Sequence, residues 1–478
     1  MQILCFIPDI QYKKIIPYYN KRWEEKYLFL IHSILYSQIR NKKEFNGYVN
    51  LDSTLLKKYI GDKYYKFILN QLVNGKIVQP YFNSKGIQSY SKGAFSKAYR
   101  INPEILKSNK IKAVPITKKT YVRKISNVRS AMIKEACKIN PNIQHELLML
   151  TYRRIKENEA IEYIKTNYIE NTPQYNVRMI AIREFNQMHK ANFNTGKELL
   201  NFHFSYNKGR VYSPASMLPR DLEQFTYFQN YENEASICLD MPNSQLCFFD
   251  ELISREKHYS KPIGAKDSEV NKGKKVHHIG NDTSEEGREN EFSPNFPENI
   301  NESLSFPPPS IPPSLCGVLF SPQNTWKAFI RKGLGYERMM FLSKWKNKES
   351  NHTKEERQEF KEIFFGQLFY NRYIPNYLTP LEQAFHKHHT NEAKALREIK
   401  KRLGNKLLAV QVQTLEGKFF HNICVHYMKS NYKDIPFTIK HDSITLPLSC
   451  GAFLIEELNA LVIQFFNDKG MKFKYEQL

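Results

Sequence analysis

The chain has 478 residues, of which 41% are hydrophobic and 25% charged, so it is long enough for about two to four domains with hydrophobic cores. Lysines and arginines number 71 against 48 acidic residues, and the net charge of +23 favours a polyanionic partner, most simply nucleic acid, over a basic protein without one. It has no run of about 18 apolar residues, no signal-peptide pattern and no CxxC pair among its seven cysteines. We therefore expect a cytoplasmic protein with free thiols and no membrane span.

The first part of the chain, residues 1–105, is predicted to form a winged-helix-like nucleic-acid-binding domain. Three segments with helical signals precede two segments rich in strand-forming residues: 22–39, 50–61, 62–76, 77–82 and 96–102. This is the order of a winged DNA-binding module, and a small α+β domain that binds protein, or nothing, is the alternative. We expect the lysines of the third helix and of the strand ribbon to face phosphates: Lys63, Lys66, Lys85, Lys92 and Lys97.

Composition divides the rest of the chain. Residues 106–205 contain amphipathic segments and are predicted to form a helical linker region. The remaining region, 206–478, is interrupted by the polar, Gly- and Pro-rich segment 255–315. That segment has too few aliphatic residues to offset its ordering entropy, so we expect it to be a disordered insert.

Two aspartates of this last region are predicted to lie at strand ends. Asp240 ends the β-prone run 236–239, and Asp442 stands between the apolar runs 437–439 and 444–446, which predict a β-hairpin. Aspartate is an ordinary turn residue. A pair of carboxylates also suits two Mg²⁺ ions that bridge a triphosphate, because hard cations take carboxylate and phosphate oxygens as ligands.

A third element lies between the two aspartates in sequence. The segment 354–373 is predicted to be a helix, on which two cations and two rings follow one another at i, i+4 spacing: Arg357, Lys361, Phe365 and Phe369. Such a stripe matches a nucleoside triphosphate, with charges for the phosphates and a ring face for the base. The alternative is an amphipathic helix with core phenylalanines and solvated cations.

These three segments resemble motifs A, B and C of the family A DNA polymerases and of the single-subunit phage RNA polymerases. CLDMPNSQ is similar to motif A, with Asp240 on its metal-binding aspartate. KHDSI is similar to motif C, with His441 and Asp442 on its His-Asp pair. RQEFKEIFFGQLFY is similar to motif B, and the residues that fall on its positions are Arg357, Lys361, Phe365, Gly366 and Phe369. The order of the motifs along the chain is that of the family.

Two further segments extend the resemblance over residues 206–478. KGRVYSP, with Arg210 and Tyr212, is similar to the Arg-x-Tyr segment that precedes motif A in the phage RNA polymerases. VQTLEGKFF, with Gln413 and Glu416, is similar to the helix that leads into motif C. The resemblance implies that Arg210, Tyr212 and Gln413 contact template or primer.

The resemblance implies an α+β fold, in which a right-hand polymerase core of palm, fingers and thumb follows the winged-helix domain. Residues 106–205 are the thumb-like part, and the palm and fingers lie in 206–478. Two Mg²⁺ ions, or Mn²⁺ in their place, are implied as cofactors, with Asp240 and Asp442 as their ligands.

For the substrates, the resemblance implies that Arg357 and Lys361 grip the triphosphate and that Phe365 and Phe369 lie near the incoming nucleotide. Gly366 lets the template base approach closely. His441 touches the primer terminus.

The sequence departs from the family where ribose and deoxyribose are distinguished. Cys247 falls near the sugar-gate glutamate of the DNA polymerases. Phe369 and Tyr370 stand where motif B has tyrosine and glycine, and Ser443 follows Asp442 as in the RNA polymerases. We therefore expect weak discrimination between the two sugars, and a shift toward ribonucleotides in Phe369→Tyr.

Together these features predict a template-directed nucleotidyltransferase, a DNA or RNA polymerase of phage, plasmid or mobile-element replication. Its expected partners are DNA as template and primer, or RNA, and nucleoside triphosphates. The rival hypothesis is a non-catalytic DNA-binding replication initiator or regulator with a decayed polymerase fold. The retained aspartates, arginine, lysine and histidine argue against decay.

Overall fold

A computed structural model describes most of the chain. The described residues are 3–40, 47–82, 86, 88, 97–106, 110–188, 203–205, 209–259, 326–331, 334–345, 353–370, 377–468 and 470–478. Residues 1–253 and 325–478 form one compact unit. The predicted disordered insert lies outside the described residues, except that its first five positions continue the helix Ser244–Tyr259.

The protein is mixed in secondary structure, with many helices and small antiparallel sheets. The helices, numbered α1 to α18 along the chain, are Tyr12–Ile15, Glu24–Arg40, Ser53–Ile60, Asp62–Asn74, Pro103–Leu106, Lys119–Ile139, Asn142–Leu150, Glu157–Asn167, Pro173–Met188, Ser244–Tyr259, Trp326–Arg331, Gly335–Leu342, Lys354–Phe364, Pro380–His388, Thr390–Leu403, Asn405–Gly417, Val425–Asn431 and Leu448–Phe466. Lys21–Trp23 and Arg220–Phe225 are 3₁₀ helices, and Phe365–Tyr370 and Lys418–Cys424 are π-helical.

The strands form antiparallel pairs and ribbons. Numbered β1 to β13, they are Ile3–Pro8, Val49–Asn50, Val78–Pro80, Ala98–Ile101, Ile111–Ile116, Arg153–Ile155, His203–Ser205, Arg210–Tyr212, Thr226–Phe228, Ser236–Asp240, Thr438–Lys440, Ser443–Pro447 and Lys474–Gln477. The orders of adjacent strands are β1-β5, β2-β4-β3, β6-β9, β7-β8 and β11-β12-β10-β13. The last of these, the four-stranded sheet, carries both predicted metal ligands.

The N-terminal helices α2, α3 and α4 and the strands β3 and β4 lie where the sequence predicts them. Asp52 caps α3, because its carboxylate accepts hydrogen bonds from the backbone N–H groups of Thr54 and Leu55, 2.9 and 3.0 Å away. The helix ends at Gly61, whose φ of +101° favours glycine. The short strand β2 pairs with β4 and was not predicted.

The region predicted as a helical, thumb-like linker, 106–205, contains strands as well. The strand β5 pairs with β1 over six residues, from Ile3 opposite Ile116 to Pro8 opposite Ile111. This pair was not predicted from the sequence. Most side chains of β1 are buried, so apolar and polar residues do not alternate along it as they do in a half-exposed strand. Helix α6 shares a hydrophobic core with the first hundred residues through Tyr121 and Ile125.

The four-stranded sheet is covered by the long helix α18, which packs against β10 and β12. At Gly451 the helix approaches so closely that a Cβ atom would lie 2.1 Å from Cγ2 of Ile237, so the position requires glycine. By length and hydropathy α18 is also the one described helix that could cross a membrane. A search for uninterrupted apolar runs does not detect it, because polar residues such as Asn459 interrupt the sequence.

Candidate functional site

The two aspartates predicted as metal ligands lie side by side at one end of the four-stranded sheet. Asp240 is the last residue of β10 and stands opposite Ser443, the first residue of β12. Asp442 precedes Ser443 in the tight turn between β11 and β12, and its carbonyl oxygen accepts a hydrogen bond from the backbone N–H of Met241, 3.1 Å away. Strand pairing therefore brings together two carboxylates that are 202 positions apart in sequence.

Local geometry fixes the turn and the orientation of Asp442. His441 has a φ of +57°, a left-handed conformation in which histidine is enriched among non-glycine residues. The hydroxyl of Ser244, at the start of α10, donates a hydrogen bond to Oδ2 of Asp442 over 2.6 Å. Because Ser244 is buried, it holds one carboxylate oxygen in a defined direction.

The pKa of Asp240 reflects both its burial and the charged side chains near it. Burial, followed by the negative charge of Asp442, raises the pKa of Asp240 to about 6, against the opposing effects of Arg220 and Lys361. Two carboxylates that repel one another in a partly buried site fit a divalent cation, which removes the repulsion. The effect of Lys361 also indicates that helix α13 lies near this end of the sheet.

Helix α13 presents the two predicted phosphate-binding cations. Its N-terminus is closed by a capping box between Thr353 and Glu356. Arg357 forms an ion pair with Glu337 of α12. The charged groups of Arg357 and Lys361 both lie 5.6 Å from the ring centroid of Tyr336, also on α12. The two cations are therefore held on one side of the helix over an aromatic face.

The two rings of the predicted stripe differ in position. A π-helical segment begins at Phe365 and changes the helical spacing. Phe365 is half-buried, but Phe369 is only 2% exposed and packs edge-on against Phe249, with ring centroids 4.7 Å apart. Phe369 thus belongs to the hydrophobic core of the structure and does not face the cations. A Cβ atom at Gly366 would have no atom within 4 Å, so no close approach requires glycine there.

Strand β8 brings Arg210 and Tyr212 toward the turn that carries His441. Arg210 is buried and forms an ion pair with Glu416 of α16. Burial, with a smaller contribution from the charge of Asp442, raises the pKa of Glu416 to about 7 against the opposing effect of Arg210. The rings of Tyr212 and His441 lie 6.1 Å apart.

His441 is neutral at physiological pH. Its side chain is exposed to solvent, but surrounding protein atoms, followed by the positive charge of Arg210, lower its pKa to about 4. Its imidazole is therefore available as a hydrogen-bonding group without charge. Gln413 lies nearly one helical turn before Glu416 and is half-buried.

Sequence reasoning missed the residues that hold these groups in place. Nδ1 of His421 lies 2.9 Å from Oε2 of Glu146, and both side chains are buried. The backbone N–H of Val211 points at Nε2 of the same histidine, 3.4 Å away, so Nδ1 carries the proton and donates to the carboxylate. These two hydrogen bonds through His421 connect α7 to β8, the strand that bears Arg210 and Tyr212. No sequence signal links partners 275 positions apart.

The residues predicted to hold metal form a pair and no larger cluster. In the ranges that the structure describes, no group of three or more His, Cys, Asp or Glu side chains could hold a metal ion. Asp240 and Asp442 therefore fit Mg²⁺ only if phosphate oxygens and water complete its shell, which is how Mg²⁺ is bound in sites that act on nucleotides.

The predicted phosphate-facing lysines form a second, separate group. Lys63 and Lys66 are exposed on α4, and Lys97 is exposed just before β4. Lys85 and Lys92 lie outside the described residues.

Comparison with known proteins assigns no identity. No model of a known protein family matches the chain, and no curated protein matches it at a significant level.

Proposed function

We propose that the protein is a template-directed nucleotidyltransferase that adds nucleotides to a primer on DNA, in the replication of a phage, plasmid or mobile element. The observation that carries the proposal is the pairing of β10 with β12, which places Asp240 beside Asp442. Lys361, from a separate element, lies near enough for its charge to lower the pKa of Asp240. Two carboxylates and an adjacent phosphate-binding cation are the parts that nucleotidyl transfer needs.

In this proposal each side chain has a defined task. Asp240 and Asp442 hold two Mg²⁺ ions, which when bound activate the primer 3′-hydroxyl and neutralise the pyrophosphate. Ser244 keeps Asp442 oriented through its hydrogen bond. Arg357 and Lys361 bind the triphosphate oxygens as charge-assisted hydrogen-bond donors.

The remaining groups act on the nucleic acid. The neutral imidazole of His441 hydrogen-bonds the primer terminus, and Arg210 and Tyr212 position the strand that passes the turn. Phe365, half-buried beside the two cations, lies where a base can stack. Phe369 takes no part, because it is enclosed by the core.

The finer architecture follows from these roles. The four-stranded sheet serves as palm, helices α12 and α13 as reduced fingers, and helices of 106–205 as thumb. The elements α2, β2, α3, α4, β3 and β4 have the order of a winged helix and would hold DNA through the exposed Lys63 and Lys66.

A primer-extension assay tests the proposal. Full-length protein, a primed DNA template, Mg²⁺ and nucleoside triphosphates should give extended primer. Asp442→Asn should reduce the rate at least about 10³-fold, because a metal ligand is lost. Asp434→Asn is the matched control, since it removes one exposed carboxylate of the same region.

Two results would contradict the proposal. One is extension by Asp442→Asn within tenfold of the unsubstituted protein. The other is tight DNA binding with no nucleotide addition under any metal, which would assign the chain to DNA-binding initiators instead.

A further inference from the structure

An exposed cluster of aromatic rings lies on the N-terminal region, away from the two-aspartate site. Tyr64 and Phe67 of α4 are 37% and 39% exposed. Both pack against Trp23, with ring centroids 5.3 and 5.2 Å from it. Rings of this size are rarely left open in a group on a soluble surface unless something covers them.

Lysines surround these rings. Nζ of Lys26 lies 3.4 Å from the ring centroid of Tyr64. A Cβ atom at Gly61 would meet both Tyr64 and Nζ of Lys124, at 3.2 and 3.3 Å, which places Lys124 beside the same ring. Burial, then Lys124 and Lys118, lower the pKa of Lys26 to about 8. These cations repel one another, and an anion would relieve the repulsion.

A groove of about 460 Å³ continues from Lys124 between α3 and α6. Its wall along α6 runs from Thr120 to Glu135, which at about 1.5 Å per residue spans about 22 Å. Lys58, Arg123 and Lys124 supply three positive charges along it, against the single carboxylate of Glu135. The groove is therefore basic and elongated, and it shares Lys124 with the aromatic cluster.

We propose that this surface, the aromatic–lysine face, binds single-stranded nucleic acid. Bases stack on Tyr64 and Phe67, and the phosphates follow Lys26, Lys124, Arg123 and Lys58 along the groove. The combination of exposed rings with a cationic channel is the usual construction for unpaired strands. A helix that reads duplex in the major groove contacts base edges mainly through polar side chains, and bulky rings suit that contact poorly. The inference rests on the nucleic-acid-binding role proposed above for this region and specifies its ligand.

Binding measurements with full-length protein and no nucleotide test the inference. The probes are a fluorescein-labelled oligo-dT of about 20 nucleotides, longer than the groove, and a labelled duplex of the same length. Oligo-dT should bind more tightly. Tyr64→Ala and Phe67→Ala should each weaken oligo-dT binding about tenfold and leave duplex binding within about twofold. Phe453→Ala is the matched control, because Phe453 is an exposed ring on α18.

A second pair of variants removes two of the proposed phosphate contacts, and circular dichroism checks that the protein still folds. Arg123→Gln and Lys124→Gln should each reduce the slope of log affinity against log salt by about 0.7 for oligo-dT, with unchanged far-UV circular dichroism. Binding of oligo-dT should also quench tryptophan fluorescence, and Trp23→Phe should remove that quenching.

The outcomes distinguish this inference from the function on which it rests. Tight duplex binding that is indifferent to Tyr64 and Phe67 would overturn the inference and leave the proposed DNA role intact. If neither oligo-dT nor duplex bound, both the single-strand inference and the nucleic-acid-binding role of this region would be overturned. A protein partner for the exposed rings would then be favoured. Primer extension reports on Asp240 and Asp442 independently of all these results.

Discussion

The two-aspartate site and the aromatic–lysine face use charge in opposite ways. At the first, Asp240 and Asp442 are partly buried. Ser244 donates a hydrogen bond to Asp442, and the charge of Lys361 lowers the pKa of Asp240. At the second, exposed cations such as Lys58 and Arg123 are spread over two helices, α3 and α6. A catalytic site needs a few desolvated charges in fixed positions, because Coulomb interactions are strong only where water is excluded. Binding a flexible strand needs many weak contacts that add up.

After the loss of Asp442 itself, the largest effect is expected at the phosphate-binding cations. Arg357→Ala and Lys361→Ala should each lower kcat/KM for nucleotide addition about 10²- to 10³-fold, or about 3–4 kcal/mol. Steady-state primer extension measures this. Lys401→Ala is the control, because this exposed lysine forms an ion pair with Glu398 on its own helix. If Lys401→Ala lowered kcat/KM by a similar factor, the loss would not be specific to the cations of the two-aspartate site.

The buried ion pair behind the turn gives the next effect, on stability. Arg210→Gln should lower the free energy of unfolding by about 3 kcal/mol, because it leaves Glu416 buried without its partner. Urea denaturation measures this loss. Arg220→Gln, which breaks the exposed pair with Glu476, should cost less than about 1 kcal/mol.

The double variant Arg210→Gln/Glu416→Gln sharpens the same comparison. It should recover most of the loss, since no uncompensated charge then remains inside. Equal costs for Arg210→Gln and Arg220→Gln would show that burial does not govern these charges.

Asp240 gives a pH dependence of known sign. Its pKa is about 6 in the folded protein and 3.8 in the absence of structure, so the folded state binds the proton more tightly. In metal-free protein the free energy of unfolding should therefore fall as pH rises from about 4 to about 6. Asp240→Asn should remove this dependence and stabilise the apo protein at pH above 6 by about 3 kcal/mol. Urea titrations with EDTA measure it, with Asp434→Asn as control.

Phe369→Tyr tests the burial of the second ring. Its new hydroxyl would enter the core beside Phe249 without a partner, which should cost about 1–2 kcal/mol of stability. The preference for ribo- or deoxyribonucleotides should not change. Thermal denaturation and single-nucleotide extension measure both. A shift toward ribonucleotides would support the position that motif B predicts and contradict the packing in the structure.

The smallest effects are expected on the surface of α4. Lys63→Gln and Lys66→Gln should each weaken duplex binding by less than about 1 kcal/mol and reduce its salt slope by about 0.9. Unfolding in urea should be unchanged, because both side chains are exposed. Titrations at several salt concentrations measure the slope. A salt-independent loss would indicate that these lysines contact something other than phosphate.

Local chemistry let the sequence predict many elements correctly. The start of α3 follows from the capping carboxylate of Asp52, and the end of α4 at Asn74 follows from Gly75. The strand ends at Asp240 and around Asp442 follow from short β-prone runs that stop at polar residues. In each case the deciding interaction lies within a few residues, so a window of sequence contains it.

Tertiary structure alone decided which of these elements meet. The pairing of β1 with β5, the bond between Glu146 and His421, and the position of Tyr336 under two cations depend on partners far apart in the chain. The burial of Phe369 also depends on a distant partner, because its ring packs against Phe249, which is 120 positions earlier in the chain. Sequence patterns report local backbone preference and the side that is apolar, whereas long-range packing selects the partner through shape and desolvation, which no local window contains.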